Sequence, residues 1–223
     1  MPPMRTRIKF CGLVRSDDVR TAVALGVDAV GFVFYPRSPR VLEPAQAAGL
    51  RRLLPSWVAA VGLFVNAPEG EVRRVAGAVG LDVIQFHGDE TPQTCSQERP
   101  VGLPWWRAVR MRREIDLIES FGSFAGAEAL LLDSHSPGYG GSGEGFDWSW
   151  VPRERPVPIV LSGGLDAETV AAAIAQVRPA MVDVSSGIQA AAPHADPRAK
   201  SRERMERFVG EVLRADAARQ DSR

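Results

Sequence analysis

The sequence is poor in the residues that usually mark a metal site or a highly charged partner. It holds two cysteines and three histidines in 223 residues, and Cys11 and Cys95 lie too far apart to form a metal-type pair. Basic and acidic residues balance at 27 each, so no net field attracts nucleic acid or an anionic membrane. We expect no metal and no nucleic-acid partner, and any anionic ligand must be bound by local groups.

Long apolar runs are also absent. No run approaches the roughly 18 apolar residues that a membrane-spanning helix needs, and the first residues contain no segment typical of a signal peptide. Both absences predict a cytoplasmic protein without a membrane partner, whose cysteines stay reduced. No linker-like stretch or change in composition divides the chain. We therefore expect one domain over residues 1–223, with a core at about 7–214.

Eight short apolar runs alternate with helix-length segments. The helical segments often begin with Ser, Asp or Pro, and several end on Gly. The predicted strands occupy residues 7–11, 28–34, 57–64, 82–86, 104–109, 128–133, 157–161 and 180–185. Eight β/α units in about 210 residues predict an α/β fold, a single-domain (β/α)8 TIM barrel closed by the charged C-terminal helix.

Polar residues and glycines follow the predicted strand ends, where such barrels place their active sites. The glycines after strands seven and eight let backbone N–H groups approach an oxyanion closely. We expect a phosphate site there, although the same glycines could serve only tight turns. The residues concerned are Gly163, Gly164, Ser186 and Gly187.

A glycine-rich segment, SHSPGYGGSGEGFDW, follows strand six. Five glycines in 15 residues cannot pack a core, while the aromatic residues at its far end can anchor it. The composition predicts a mobile active-site loop or a plain surface connection.

The motifs KFCG, VGFVFYPRSPR, VGLFVN, IQFHGDE, LLLDS, YGGSGEGFDW, IVLSGGL and VDVSSG, in this order, resemble the phosphoribosylanthranilate isomerase family. The resemblance implies a cofactor-free Amadori rearrangement of a small sugar-phosphate substrate, N-(5-phosphoribosyl)anthranilate, in tryptophan biosynthesis. It assigns Cys11 as general base, Asp133 as general acid, Arg40 to the anthranilate carboxylate and Asp183 to the ribulose hydroxyls. The implied substrate-lining residues are Lys9, Gln85, His87, Gly141 and Asp183.

The residues by themselves are also compatible with purely structural roles. Cys11 also fits an inert buried thiol, and Asp133 also fits a helix cap. An ordinary thiol, with a pKa of about 8.5, is a poor base at neutral pH, so we expect surroundings that favour the thiolate. Lys9 lies on the same side of the strand as Cys11 and is the candidate for that task. Gly12 is expected to leave room for the chain to turn and for the substrate to approach.

Two segments depart from the family pattern. Gln189 stands where a glutamate is frequent, and AAPHADPRAK replaces a Pro-Gly-x-Lys-Asp segment.

The alternative functions are a histidine-pathway aminoaldose isomerase, a bifunctional enzyme, or a non-catalytic sugar-phosphate-binding barrel. The histidine-pathway family uses two aspartates where this chain has Cys11 and Asp133. We expect a monomer, with a homodimer as the alternative.

Overall fold

The chain forms a closed barrel of eight parallel strands in the order β1 to β8. This computed structural model describes residues 5–112, 117–134, 145–191 and 196–221. The strands are β1 (Arg7–Cys11), β2 (Ala29–Val33), β3 (Ala59–Phe64), β4 (Val83–Phe86), β5 (Trp105–Met111), β6 (Ala129–Ser134), β7 (Ile159–Leu161) and β8 (Met181–Val184). The eight predicted strands and the barrel are confirmed.

Helices cover the outside of the barrel. Within the described ranges these are α1 (Ser16–Ala24), α2 (Pro44–Arg51), α3 (Glu71–Val79), α4 (Pro92–Glu98), α5 (Leu117–Ser123), α6 (Val170–Val177) and α7 (Arg202–Asp221). Pro44 begins α2 inside a capping box formed by Glu43 and Gln46. Between β6 and β7 the structure describes a single 3-10 turn, Trp148–Trp150.

The barrel interior changes from apolar to polar along the strands. Its lower part is a closed apolar cluster, made of Ala29, Val61, Val83, Trp106, Ala108, Ala129, Leu131, Val160 and Met181. Side chains alternate along a strand, so the residue two positions further on points to the same side. Met181 is therefore followed by Asp183, Leu131 by Asp133, and Val83 by Gln85. The polar layer faces the carboxyl ends of the strands, which explains the place of the site.

The C-terminal helix α7 packs against the first strand and the residue before it. Phe208 of α7 packs edge-on against Phe10 of β1, with ring centroids 6.1 Å apart. Asp216 of α7 accepts hydrogen bonds from the backbone N–H and the hydroxyl of Thr6, at 2.7 and 2.8 Å. The C-terminal helix predicted from the sequence thus packs on the barrel. None of the helices in the described ranges has the length and apolarity needed to cross a bilayer.

Candidate active site

A cavity of about 770 Å³, counting its open mouth, lies at the carboxyl ends of the strands. Its lining contains many of the residues singled out in the sequence: Cys11, Arg40, Gln85, His87, Asp133, Gly163, Gly164, Asp183 and Ser186. Tyr35, Ser38, Ser162 and Ser185 complete its polar wall. The barrel therefore brings distant strand ends together around one space.

Lys9 lies below this cavity and does not line it. The Lys9 side chain is fully buried, and its ammonium donates a hydrogen bond of 2.8 Å to Asp183. The other Asp183 oxygen accepts from Ser162 Oγ at 3.2 Å. Burial acts to lower the pKa of Lys9, but Asp183 and Cys11 outweigh it and raise the pKa. Lys9 is thus a charged residue held inside the barrel.

Cys11 lies beside Lys9 because Gly31 of β2 leaves space for both. A Cβ atom on Gly31 would lie 2.8 Å from Cys11 Sγ and 3.1 Å from Lys9 Nζ. Burial nevertheless raises the pKa of Cys11; Lys9 opposes this effect, and Asp183 adds to it. The expectation of surroundings that favour the thiolate is wrong for the free site, because burial outweighs the charge of Lys9.

Asp133 is connected to two side chains of β4. His87 Nε2 lies 3.2 Å from Asp133 Oδ2, and Gln85 Nε2 lies 2.9 Å from His87 Nδ1. Because the Gln85 amide nitrogen can only donate, it places the imidazole proton on Nε2, facing Asp133. The backbone N–H of Ser134 donates to the other Asp133 oxygen at 2.9 Å. This arrangement suits the carboxylate that remains after a proton has been given away.

Arg40 crosses the cavity mouth on the loop after β2. Its Nη2 donates to Oε1 of Gln189, and Gln189 Nε2 donates in turn to the carbonyl of Pro197. Arg40 Nε is buried and has no hydrogen-bond partner within the described part of the chain. Gln189 is neutral, so it orients the guanidinium without cancelling its charge. Such a fork can receive a carboxylate.

Gly12 combines the expected turn with a role that was not expected. Its φ is +70°, and a Cβ atom there would lie 2.5 Å from Arg40 Cδ. The space beside Gly12 is filled by Arg40, so this glycine admits the arginine and not the substrate.

The glycines after β7 form an open backbone turn. Gly163 and Gly164 have φ values of +82° and +69°, which favour glycine. A Cβ on Gly163 would lie 2.5 Å from the Ser134 nitrogen, so this turn packs directly on the end of β6. In the described ranges, neither Gly163 nor Gly164 donates its N–H to a protein acceptor. These amides can receive an oxyanion.

The loop after β8 carries the other two residues predicted to bind phosphate, Ser186 and Gly187. Ser186 lines the cavity, whereas Gly187 does not and lines a separate pocket. A Cβ on Gly187 would lie 2.1 Å from the Leu165 carbonyl oxygen. Glycine is required there by the close approach of the two loops, whatever its amide binds.

Lys200 is a site neighbour that the sequence did not single out. Its ammonium donates to the Ser185 carbonyl at 2.7 Å, and Ser185 Oγ donates to the Cys11 carbonyl at 3.1 Å. Burial, followed by Arg40, lowers the pKa of Lys200 to about 7. The available signals were its place in the altered segment before the last helix and the rarity of lysine in this chain.

Gly141 and most of the predicted mobile loop, residues 135–144, lie outside the described residues. The anchoring end is described, and there Asp147 accepts a 2.9 Å hydrogen bond from the Ser149 N–H. Across the described ranges, no cluster of three or more His, Cys, Asp or Glu side chains could hold a metal ion.

Comparison with known proteins identifies one family. The sequence model described as N-(5'-phosphoribosyl)anthranilate (PRA) isomerase matches residues 8–193. An N-(5'-phosphoribosyl)anthranilate isomerase of Ralstonia nicotianae is 50% identical over 228 residues, covering 98% of this chain and 97% of the relative. The matched range contains every residue that lines the cavity.

Solved structures agree in fold. The phosphoribosyl anthranilate isomerase of Thermotoga maritima is 37% identical, with a TM-score of 0.83, and the match covers 93% of this chain and 98% of that one. A phosphoribosyl anthranilate isomerase in complex with reduced 1-(o-carboxyphenylamino)-1-deoxyribulose 5-phosphate is 35% identical, with a TM-score of 0.80 and the same coverage.

Proposed function

The chain belongs to the N-(5'-phosphoribosyl)anthranilate isomerase family of tryptophan biosynthesis, and we propose that Cys11 and Asp133 are the general base and general acid of its isomerisation. The observation that carries the assignment is their position on one cavity. β7 and β8 lie between their strands, β6 and β1, in the barrel order. The two glycine loops that follow β7 and β8 therefore lie between the acid and the base.

The reaction converts an aminoaldose into an aminoketose, and its first two steps are proton transfers by the acid and the base. Asp133 protonates the furanose ring oxygen, and the C1–O bond breaks to give a protonated Schiff base. Cys11 then removes the proton from ribose C2, and the electron pair of the C–H bond moves to form an enolamine. C1 of the enolamine gains a proton and its C2 hydroxyl loses one, which gives the ketone. No electron donor or acceptor is consumed.

Asp133 must carry a proton before the first step. Substrate that fills the cavity expels water, and loss of water favours the neutral form of a carboxyl group. Once the proton has left, His87 Nε2–H and the Ser134 N–H stabilise the carboxylate. We assign His87 and Gln85 to this supporting role.

Cys11 must be ionised before the second step, although burial raises its pKa in the free site. Lys9 and Lys200 favour the thiolate, and the positive charge of the Schiff base, one bond from C2, adds to them. Ring opening therefore activates the base at the moment when it is needed.

The substrate's two anionic ends are assigned to opposite parts of the site. Arg40 binds the anthranilate carboxylate through its guanidinium fork. Backbone amides at Gly163, Gly164, Ser186 and Gly187 bind the phosphate. Asp183 accepts from the ribulose hydroxyls, with Lys9 holding its other oxygen.

We propose a monomer with a single domain and a core at about 7–214. A base that works as a thiolate needs a reducing compartment, which fits the cytoplasm. Light scattering after gel filtration tests the oligomeric state.

The function is tested by adding pure protein to N-(5-phosphoribosyl)anthranilate without metal or nucleotide. We expect the anthranilate fluorescence of the substrate to disappear, and the reduced product analogue to inhibit competitively. The larger two-phosphate aminoaldose of the histidine pathway should not react. Absence of turnover of the anthranilate substrate would overturn the assignment.

A further inference from the structure

Lysine is nearly absent from this chain, and both of its lysines are buried next to the active site. Lys9 and Lys200 are the only lysines among 27 basic residues, with 0% and 5% of their surface exposed. Arginine stays charged in proteins, whereas a buried lysine can lose its charge. A chain that uses arginine almost everywhere thus has lysine at two buried positions, and at one of them, Lys200, burial lowers the pKa to about 7.

The backbone around Lys200 is fixed from two sides. Lys200 pairs with Gln189 in an isolated antiparallel bridge, and the Ser201 N–H donates to the Ile188 carbonyl at 2.8 Å. The Lys200 N–H donates to Asp18 of α1 at 3.1 Å. The segment before α7 therefore lies along the loop after β8, and its lysine side chain has a defined starting point.

The Lys200 ammonium reaches the first residue of that loop. Besides the 2.7 Å bond to the Ser185 carbonyl, it lies 3.4 Å from Ser185 Oγ. Ser185 directly precedes Ser186 and Gly187, whose amides are assigned to the phosphate. By drawing the Ser185 carbonyl toward itself, Lys200 fixes the peptide plane from which the Ser186 N–H emerges.

We propose that Lys200 is a positioning residue for the substrate phosphate, and that binding of the phosphate and protonation of Lys200 promote each other. Lys200 acts through Ser185 and adds a buried positive charge behind the amides. The proposal rests on the proposed function, because it assumes that the loop after β8 binds the phosphate.

The charges around Lys200 make its protonation sensitive to a new anion. Arg40 disfavours the ammonium, while Cys11, Asp18 and Asp183 favour it, and burial disfavours it most. These opposed effects leave its pKa at about 7, so the free protein contains both forms near neutral pH. A phosphate dianion nearby shifts the balance toward the ammonium, and binding then takes up a proton.

The probe is reduced 1-(o-carboxyphenylamino)-1-deoxyribulose 5-phosphate, titrated by calorimetry between about pH 6.5 and 8.5 in two buffers of different ionisation enthalpy. If binding raises the Lys200 pKa by about 1.5, the affinity for the probe should fall about tenfold as the pH rises across this range. The phosphate has its own pKa of about 6, so its contribution is measured with Lys200→Met and subtracted.

Lys200→Met should bind the probe about tenfold more weakly at the lower pH and lose the extra proton uptake. Its KM should rise more than its kcat falls. Lys200→Arg, which cannot titrate, should also lose the pH dependence. Arg202→Met removes an exposed cation two residues away and should behave like wild type.

A second ligand separates the phosphate from the carboxylate. The probe without its phosphate should bind wild type and Lys200→Met equally. Equal affinity and equal proton uptake of the two proteins toward the phosphorylated probe would overturn the proposal. If wild type did not bind the phosphorylated probe at all, the proposed function would fail instead. If Lys200→Met does not fold, unchanged pH dependence in Lys200→Arg would overturn the proposal.

Discussion

Gly12 and Arg40 are in steric contact, and the missing side chain of the glycine is what admits the arginine. The Arg40 Cδ atom occupies a position 2.5 Å from where a Gly12 Cβ would lie. Gly12 follows the proposed base directly, so the contact connects the residue that removes the proton with the residue that binds the carboxylate. The orientation of Arg40 depends on this contact and on Gln189.

Gly12→Ala should displace Arg40 and raise KM about tenfold, since a charge-assisted pair contributes about 1.5–3 kcal/mol. Gly26→Ala is the matched control, because Gly26 also has positive φ, +75°, but nothing lies within 4 Å of its Cβ position. Both alanines introduce backbone strain of about 1–2 kcal/mol, measurable by urea denaturation. An equal KM in the two variants would contradict the conclusion that Gly12 is needed to orient Arg40.

Gln189→Glu tests the neutral partner of Arg40. A glutamate there forms an ion pair with the guanidinium and competes with the substrate carboxylate, so we expect KM to rise about threefold to tenfold and the rise to shrink at high salt. Gln189→Met removes the hydrogen bond without adding charge and is the control. A KM for Gln189→Glu that matched Gln189→Met at every salt concentration would exclude competition.

The sequence predicted what depends on local pattern. The strands were found because buried parallel strands are continuous apolar runs, and the side of Lys9 followed from alternation. The connection from Gln85 through His87 to Asp133 depends on how β4 faces β6 across the barrel, which no local pattern encodes. Gly12 was recognised as special, but the atom beside it comes from a loop 28 positions away. Lys200 was missed because burial of a lysine is unusual and has no sequence signature.

The ionisation of Cys11 can be followed alone by ultraviolet thiolate absorbance. The other cysteine does not interfere, because burial raises the pKa of Cys95 to about 12. Lys9→Met removes a charge that lowers the Cys11 pKa, so we expect a higher pKa and slower alkylation at neutral pH. The double variant Lys9→Met/Asp183→Asn also removes the Asp183 charge, which raises the Cys11 pKa, so its Cys11 pKa should lie below that of Lys9→Met. An unchanged titration in Lys9→Met would remove Lys9 from the activation of Cys11.

Lys200 should make stability depend on pH in a defined direction. Its folded pKa of about 7 lies below the value of about 10.4 in an unfolded chain. Below about pH 7 both states are charged, and the destabilising cost of burying the ammonium is fully present. Between the two pKa values the unfolded chain binds the extra proton, so the free energy of unfolding rises by up to about 1.4 kcal/mol per pH unit.

Lys200→Met lacks this titration. Urea denaturation at about pH 6, 7.5 and 9 should therefore show wild type gaining stability relative to the variant as pH rises. Parallel stability curves would mean that Lys200 has an ordinary lysine pKa in the folded protein.

The assignment of base and acid is tested most directly by the turnover of Cys11→Ala and Asp133→Asn on N-(5-phosphoribosyl)anthranilate, with folding checked by circular dichroism. Each should lose at least about a hundredfold in kcat, because each lacks one proton-transfer group. Cys95→Ala and Asp17→Asn, which change a buried thiol and an exposed carboxylate away from the cavity, should keep wild-type kcat. A folded Cys11→Ala or Asp133→Asn protein that retained more than about a tenth of wild-type kcat would contradict the role given to that residue.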